Sequence, residues 1–318
     1  MTTRIALVTG AHGFIGRHLA RTLALHGYRV VGLGHGNWPE TEARAWGVSH
    51  WLNGDITPAN LRGLQQQVGT PEVIYHLAGG SSVGLAIANP REDFFRTVAT
   101  TAELLEWMRQ DAPSASIVAV SSAAVYGAGR EGRIAEDVPL NPYSPYGHHK
   151  RLMEELCRSY AASYGTRVVI ARLFSVYGAE LKKQLLWDLC TRLSAGANPL
   201  VLGGTGNELR DWTEIADVCR ALVLLNQAFA AEPRIVNIGQ GLGTSVQRVA
   251  SELVRAWGDG EATPAALSFT GQARAGDPFS LIAAPERLKS MGFEWQVRLD
   301  DGLAAYARWF RSLGLPLS

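Results

Sequence analysis

A phenol, an ammonium and a hydroxyl are the side chains of this sequence with the most chemical promise. Tyr146-Gly147-His148-His149-Lys150 places Tyr146 and Lys150 four residues apart, which in a helix puts both on one face. A cation beside a phenol stabilises the phenolate. The spacing therefore predicts that Lys150 draws the Tyr146 pKa down from about 10 toward the range of a general acid/base. Read alone, the pair is equally an ordinary solvated pair on a helix surface. Ser122 adds weight to the chemical reading. It lies in Ser121-Ser122-Ala123-Ala124-Val125-Tyr126-Gly127, at the end of the strand-like run Ile117–Ser121, and the carboxyl end of a parallel strand is where a doubly wound sheet places its site. From there Ser122 would hydrogen-bond the substrate oxygen that Tyr146 protonates or deprotonates.

A second group concerns phosphate. Gly10, Gly13 and Gly16 fall between an apolar run and a helical pattern, in Val8-Thr9-Gly10-Ala11-His12-Gly13-Phe14-Ile15-Gly16. Such a loop lets backbone N–H groups approach a pyrophosphate at the helix N-terminus. Its spacing is one residue longer than the GxGxxG dinucleotide fingerprint. That fingerprint also carries an acidic residue at the end of the second strand to bond the ribose 2′-OH. Here the strand ends Leu33-Gly34-His35-Gly36-Asn37, with no carboxylate before Glu40 and no Arg or Lys between Val30 and Ala43. NAD is narrowly favoured and NADP stays open. Asp55-Ile56, after the third strand, is a candidate contact to the adenine edge; the alternative is a turn in which Asp55 caps the following helix.

These groups need a scaffold, and the sequence outlines one. Ile5–Val8, Tyr28–Leu33, Val73–Leu77, Ile117–Ser121 and Val168–Leu173 read as buried strands, and Ile15–His26, Arg91–Gln110 and Pro145–Tyr164 as helices. The β-α-β-α order predicts an α/β fold with a doubly wound parallel sheet. The alternation weakens after residue 172, where Leu181–Gly196 looks helical and Arg234–Gly239 reads as one more strand. The expected division is a dinucleotide-binding domain over 1–172, rejoined around 211–240, and a smaller α/β substrate domain over 173–210 and 241–318.

Composition narrows the partners. Thirty Lys+Arg against 29 Asp+Glu leave a net charge of +1, so the basic footprint of a nucleic-acid or acidic-membrane binder is missing. The 34 glycines in 318 residues exceed the roughly 7% of ordinary composition, which points to tight turns and close backbone approaches. Cys157, Cys190 and Cys219 are too dispersed for a disulfide framework, and read as reduced, packed thiols of a cytoplasmic protein. No signal peptide or membrane span is expected. His148 and His149 are adjacent and so diverge on a helix, with no ligand cluster beside them; no metal is expected.

Together the glycine loop, Ser122 and Tyr146-x-x-x-Lys150 resemble the extended short-chain dehydrogenase/reductases, in their nucleotide-sugar branch, the NAD-dependent epimerase/dehydratases. Further matches are Tyr75-His76-Leu77-Ala78-Gly79, Ser144-Pro145-Tyr146-Gly147, Arg172 to Gly178, Gly206 to Arg210-Asp211-Trp212, Val236-Asn237-Ile238-Gly239 and Arg274-Ala275-Gly276-Asp277. The resemblance implies a Rossmann-type fold with Tyr146 as acid/base and Ser122 holding the reacting sugar oxygen. Lys150 would lower the Tyr146 pKa and bond the nicotinamide ribose. It also implies that Gly10, Gly13, Phe14, Ile15, Gly16, His35, Asp55, Ile56, Leu77, Ala78 and Gly79 border the cofactor. Ser82, Phe174, Ser175, Arg210 and Arg274 would border a nucleotide-diphosphate sugar, the two arginines gripping the diphosphate. A simple ion pair of Arg210 with Asp211 or Glu214 is the competing reading.

Departures from the family pattern refine the expectation. Ala123 and Ala124 stand where dehydratases carry Asp-Glu, which disfavours 4,6-dehydration; Ser175 and Thr97 each replace a frequent Asn. The favoured activity is a nucleotide-sugar 4-epimerase, with a 4-keto-sugar reductase as alternative. A steroid- or flavonoid-type ketone reductase and a non-catalytic cofactor-binding protein rank lower. A homodimer is expected through the two helices flanking the catalytic strand, with Leu152, Leu156 and Tyr160 as candidates for its face or for core.

Overall fold

The computed structural model describes residues 4–230, 232–258, 265–272 and 279–314. Its strands in chain order are β1 (Ile5–Thr9), β2 (Arg29–Gly34), β3 (Val48–Asn53), β4 (Val73–His76), β5 (Ser116–Ser122), β6 (Arg133–Ile134), β7 (Arg167–Leu173), β8 (Ser175–Tyr177), β9 (Leu200–Leu202), β10 (Leu209–Glu214), β11 (Arg234–Ile238), β12 (Gly243–Ser245), β13 (Leu267–Phe269) and β14 (Ser280–Ala283). The helices are α1 (Phe14–Leu25), α2 (Glu40–Ala45), α3 (Pro58–Val68), α4 (Val83–Ala88), α5 (Pro90–Phe94), α6 (Thr100–Asp111), α7 (Pro145–Tyr164), α8 (Gln184–Ser194), α9 (Ile215–Leu224), α10 (Val246–Trp257), α11 (Glu286–Ser290) and α12 (Leu299–Ser312).

Residue contacts divide the chain into two compact units. One comprises Met1–Gly127, Glu136–Leu173 and Cys219–Ile238; the other comprises Ala128–Ala135, Phe174–Val218 and Gly239–Ser318.

The first unit is built on a seven-stranded parallel sheet in the order β11-β7-β5-β4-β1-β2-β3. Strands buried on both faces need unbroken apolar runs, and Ala6, Val8, Ile117, Val118 and Ala119 are all fully buried. The chain builds outward from β1 to β3, then restarts on the other side of β1 with β4. That reversal is the topological switch point, where the carboxyl ends of β1 and β4 open a crevice for ligands. The helix expected over Arg91–Gln110 is interrupted: α5 ends at Phe94, Phe95–Ala99 is a π-helical turn, and α6 resumes at Thr100. Apolar periodicity does not register such an insertion, which is frequent at functional sites.

The second unit has a mixed sheet ordered β12-β10-β14-β6, with β8 paired to β10, and a separate β13-β9 pair. Asp211, fully buried, holds it together by accepting from the backbone N–H groups of Gln240, Gly241 and Ala283. The helix expected over Leu181–Gly196 begins only at Gln184, because Glu180 and Gln184 take positive φ angles of 72° and 65°. Among the described residues no helix is long and apolar enough to cross a membrane.

Candidate active site

Local sequence explains how Tyr146 is held. Ser144 caps α7 by accepting from the Gly147 N–H at 3.2 Å, and Pro145 occupies the first helical position, where its missing N–H costs nothing. Gly147 lets the helix close on the turn after β5: a Cβ there would lie 2.6 Å from the Ala124 carbonyl oxygen. This approach brings the phenol of Tyr146 close to Ser122, whose side chain favours its ionised form. Ser122 itself accepts from the Ala124 N–H at 3.2 Å. One turn further along α7, the buried Lys150 donates from Nζ to the Val120 carbonyl at 3.0 Å.

The electrostatics correct one expectation. Burial raises the Tyr146 pKa above its ordinary value; the Ser122 hydrogen bond works against the rise and the Asp93 charge adds to it. Lys150 therefore does not draw the phenol down as expected from the spacing, because its ammonium is directed at the Val120 carbonyl. Burial lowers Lys150 itself to about 8, against the attraction of Asp93, Glu154 and Cys157.

The crevice at the switch point fits a dinucleotide. Gly10 takes φ 71°, and a Cβ on Gly16 would collide with the Gly10 carbonyl oxygen, so α1 can begin directly against the loop. Gly13 offers no side-chain cap, which leaves the first-turn N–H groups around Phe14, Ile15 and Gly16 for an anion. On the β4 side the Leu77 and Ala78 N–H groups donate to Thr9, to its carbonyl at 3.2 Å and its hydroxyl at 3.2 Å. Gly79 takes φ 146°, a conformation that favours glycine, and a Cβ there would crowd Lys150 Nζ and Thr97 Oγ1, each at 3.3 Å.

A buried relay fixes this segment. The Thr101 hydroxyl donates to the Thr97 carbonyl at 2.6 Å, so it accepts from His76 Nε2 at 2.9 Å. That leaves His76 Nδ1 to accept from the Thr9 hydroxyl at 2.8 Å, and thus fixes the tautomer. Burial, helped by Lys150, lowers the His76 pKa to about 3, so the ring is neutral at physiological pH.

At the end of β2 the structure shows what the sequence did not. A Cβ on Gly34 would press on the Gly10 backbone at 3.3 Å and on the Trp51 ring at 3.4 Å, in the confined space where an acidic residue was expected. A carboxylate arrives from another element instead: Asp55 Oδ1 lies 3.1 Å from His35 Nε2, both side chains exposed. Asp55 is not the cap of α3; Thr57 is, accepting from the Asn60 N–H at 3.2 Å. The Ile56 side chain lies in the apolar core, so only its backbone remains for a ligand. His12, Trp38 and Trp51 form an aromatic wall nearby, with centroid separations of 4.8 Å and 5.3 Å along the series.

The family profile described as "NAD dependent epimerase/dehydratase family" matches residues 6–239. The chain belongs to this family. A UDP-glucose 4-epimerase of Azospirillum brasilense is 30% identical over 328 residues, covering 96% of this chain and 92% of that protein. A dTDP-glucose 4,6-dehydratase of Streptomyces griseus is 29% identical, covering 98% of this chain and 94% of that protein. Among solved structures, the UDP-glucuronic acid 4-epimerase of Bacillus cereus, in complex with UDP-glucuronic acid and NAD, aligns with a TM-score of 0.84 at 26% identity. It covers 97% of this chain and 99% of that chain.

The remaining candidates are placed as follows. Ser82 caps α4, accepting from the Leu85 N–H at 3.2 Å. Phe174 and Ser175 belong to the second unit, with Ser175 on β8 opposite Trp212 of β10. Arg210, also on β10, donates to the Leu209 carbonyl at 2.9 Å and the Phe279 carbonyl at 3.4 Å. Arg274 lies outside the described residues.

Two polar clusters in the first unit escaped the sequence reading. His149 Nδ1 meets Asp93 Oδ2 at 2.5 Å beside the Tyr146–Lys150 turn. Under β5, the buried Arg172 binds both carboxylate oxygens of Glu154, at 2.9 and 2.6 Å, and Ser121 donates to the same carboxylate at 2.6 Å.

Proposed function

We propose that this chain is a nucleotide-sugar 4-epimerase that works with NAD and takes UDP-sugars. The observation that carries this reading is the convergence of Ser122 and Tyr146, close enough for the Ser122 side chain to act on the phenol, with Lys150 one helical turn away, beside the carboxyl ends of β1 and β4. Bound NAD supplies a reversible two-electron acceptor for the hydrogen on sugar C4. Tyr146 takes the proton from O4 as that hydrogen leaves, and Ser122 donates a hydrogen bond to the same oxygen. Lys150, in its buried seat, offers a cation to the ribose hydroxyls. Once the flat C4 carbonyl presents its opposite face, the same hydrogen would return to C4 with its electron pair while Tyr146 returns the proton to O4.

Epimerisation is favoured over 4,6-dehydration, although a dehydratase is among the relatives. Ala123 and Ala124 follow Ser122 directly and are buried at 3% and 9% exposure, and neither side chain can hold or move a proton. NAD is favoured over NADP because Asp55 places a carboxylate at the end of β2, where it accepts from a ribose 2′-OH and repels a 2′-phosphate. Arg210 and Arg274 are the proposed diphosphate contacts, since a guanidinium fork matches two phosphate oxygens. A homodimer is proposed through α4 to α7, whose exposed apolar side chains include Leu85, Ile87, Phe95 and Leu152; Leu156 and Tyr160 instead pack against the core.

The test is turnover. Purified protein incubated with UDP-sugars should interconvert the C4 epimers without net consumption of cofactor, and Tyr146→Phe should slow this by about 10²–10⁴-fold. Stoichiometric use of NADPH with a 4-keto sugar would show a reductase instead.

A further inference from the structure

Asp93 and His149 are an acid–base pair that the epimerisation scheme above leaves unused. Asp93 comes from α5 and His149 from α7, 56 residues apart in sequence. Both are largely withdrawn from water, with side-chain exposures of 6% and 13%. Asp93 Oδ1 fills the space that a Gly80 side chain would occupy, and the adjacent Gly79 faces Lys150 Nζ. The carboxylate and the ammonium therefore flank the same two glycines. At 2.5 Å the two side chains are in direct hydrogen-bond contact.

We propose that Asp93 and His149 are positioning residues that set the charge felt by the catalytic side chains: Asp93 presents a carboxylate to Tyr146 and Lys150, and His149 cancels it when it carries a proton. With His149 protonated the pair is neutral, and Tyr146 gives up its proton more readily. With His149 neutral, the bare carboxylate holds Lys150 as an ammonium and opposes the phenolate. Asp93 is the charged group that acts on Tyr146, alongside the Ser122 hydrogen bond, and it is the largest attraction on Lys150, ahead of Glu154 and Cys157. His76 also faces Lys150 but is neutral. Around His149 lie Asp93 and the Phe94 ring, 5.6 Å away edge-on. The exposed Arg96 is paired with Glu92 at 2.5 Å, and α4 carries no titratable side chain.

The proposal rests on the acid/base role given to Tyr146, and its test does not depend on turnover. Ionisation of Tyr146 is followed in the holoenzyme by ultraviolet difference absorbance, with Tyr146→Phe as the subtracted reference. Asp93→Asn removes the carboxylate, whereas His149→Asn keeps it and removes its counter-charge. Tyr146 should ionise at lower pH in Asp93→Asn than in His149→Asn, with a difference on the order of tenfold in phenolate fraction at a fixed pH. The acid limb of kcat should separate in the same sense, and Asp93→Glu should titrate with the wild type. Coincident titrations of the two Asn variants would overturn the proposal, as would Asp93→Glu behaving like Asp93→Asn. Absence of UDP-sugar turnover in a wild type that shows the ordered titrations would instead count against the epimerase reading alone.

Discussion

Arg4 with Glu72 and Arg172 with Glu154 are the same pair of residue types at opposite ends of one sheet. The first pair joins the amino ends of β1 and β4 at 3.0 Å, with side chains 50% and 46% exposed; the second lies at the carboxyl ends of β5 and β7 at 2.6 Å, with both side chains 1% exposed. Water screens the first and is excluded from the second. At the buried pair all three guanidinium nitrogens are engaged: Arg172 also reaches the Tyr126 hydroxyl at 3.0 Å and the Glu136 carbonyl at 2.9 Å, and its guanidinium lies 4.8 Å from the Tyr126 ring centre. The carboxyl ends carry reactive polar groups, and the fold supports them from below with a closed ionic network. The amino ends need only a surface clasp.

Arg172→Met gives the largest effect on this contrast. It leaves the Glu154 carboxylate buried without its cation, which should cost about 3–5 kcal/mol in urea unfolding. Arg172→Met/Glu154→Leu together should recover most of that loss, because two apolar side chains leave no buried charge uncompensated. A single-variant loss as small as that of an exposed pair would erase the distinction between the two ends. Turnover in the double variant should still fall, since Ser121 loses its Glu154 acceptor next to Ser122.

The next effect reads the same dry end through a proton. Burial lowers the His76 pKa to about 3 in the folded protein, from an ordinary value of 6.5. Between those values the unfolded chain binds a proton that the folded chain refuses, so stability falls as pH drops below 6.5. The linkage amounts to about 2 kcal/mol by roughly pH 5. His76→Asn removes this group, and its stability should change less than the wild type's over that interval. Equal slopes would mean that another buried base carries the acid sensitivity.

How much of this was legible follows from the range of each contact. Tyr146 and Lys150 declare themselves because one helical turn brings them together, and the glycine loop because its residues are consecutive. The fold class was legible for the same reason, since each buried strand is a continuous apolar run. Glu154 and Arg172 are both polar residues in apolar patterns, but their pairing spans 18 residues across α7 and β7. Asp93 gives no local signal, because its meaning depends on His149 and on the absence of a Gly80 side chain. The π-turn that carries Thr97 shifts the helical phase by one residue, which periodicity averages away. At Gly34 the missing acid was visible in sequence, whereas the approach of Asp55 to His35 required β3 to lie beside β2.

Arg4→Met is the smallest expected effect and the complementary control. An exposed ion pair gains little because water solvates both partners when it breaks. Arg4 holds Glu72 below the usual carboxylate range through its hydrogen bond, but it also contacts the Tyr28 hydroxyl, which accepts from Asn226 at 2.7 Å. Tyr28 thus keeps a partner after the substitution, and Met still covers the ring that Arg4 lies over at 4.2 Å. The loss should stay below about 1 kcal/mol and shrink further as salt is added. A loss approaching that of Arg172→Met would show that the amino ends are as dry in energetic terms as the carboxyl ends, and would make burial of the pair, rather than its position beneath the catalytic strand, irrelevant to its strength.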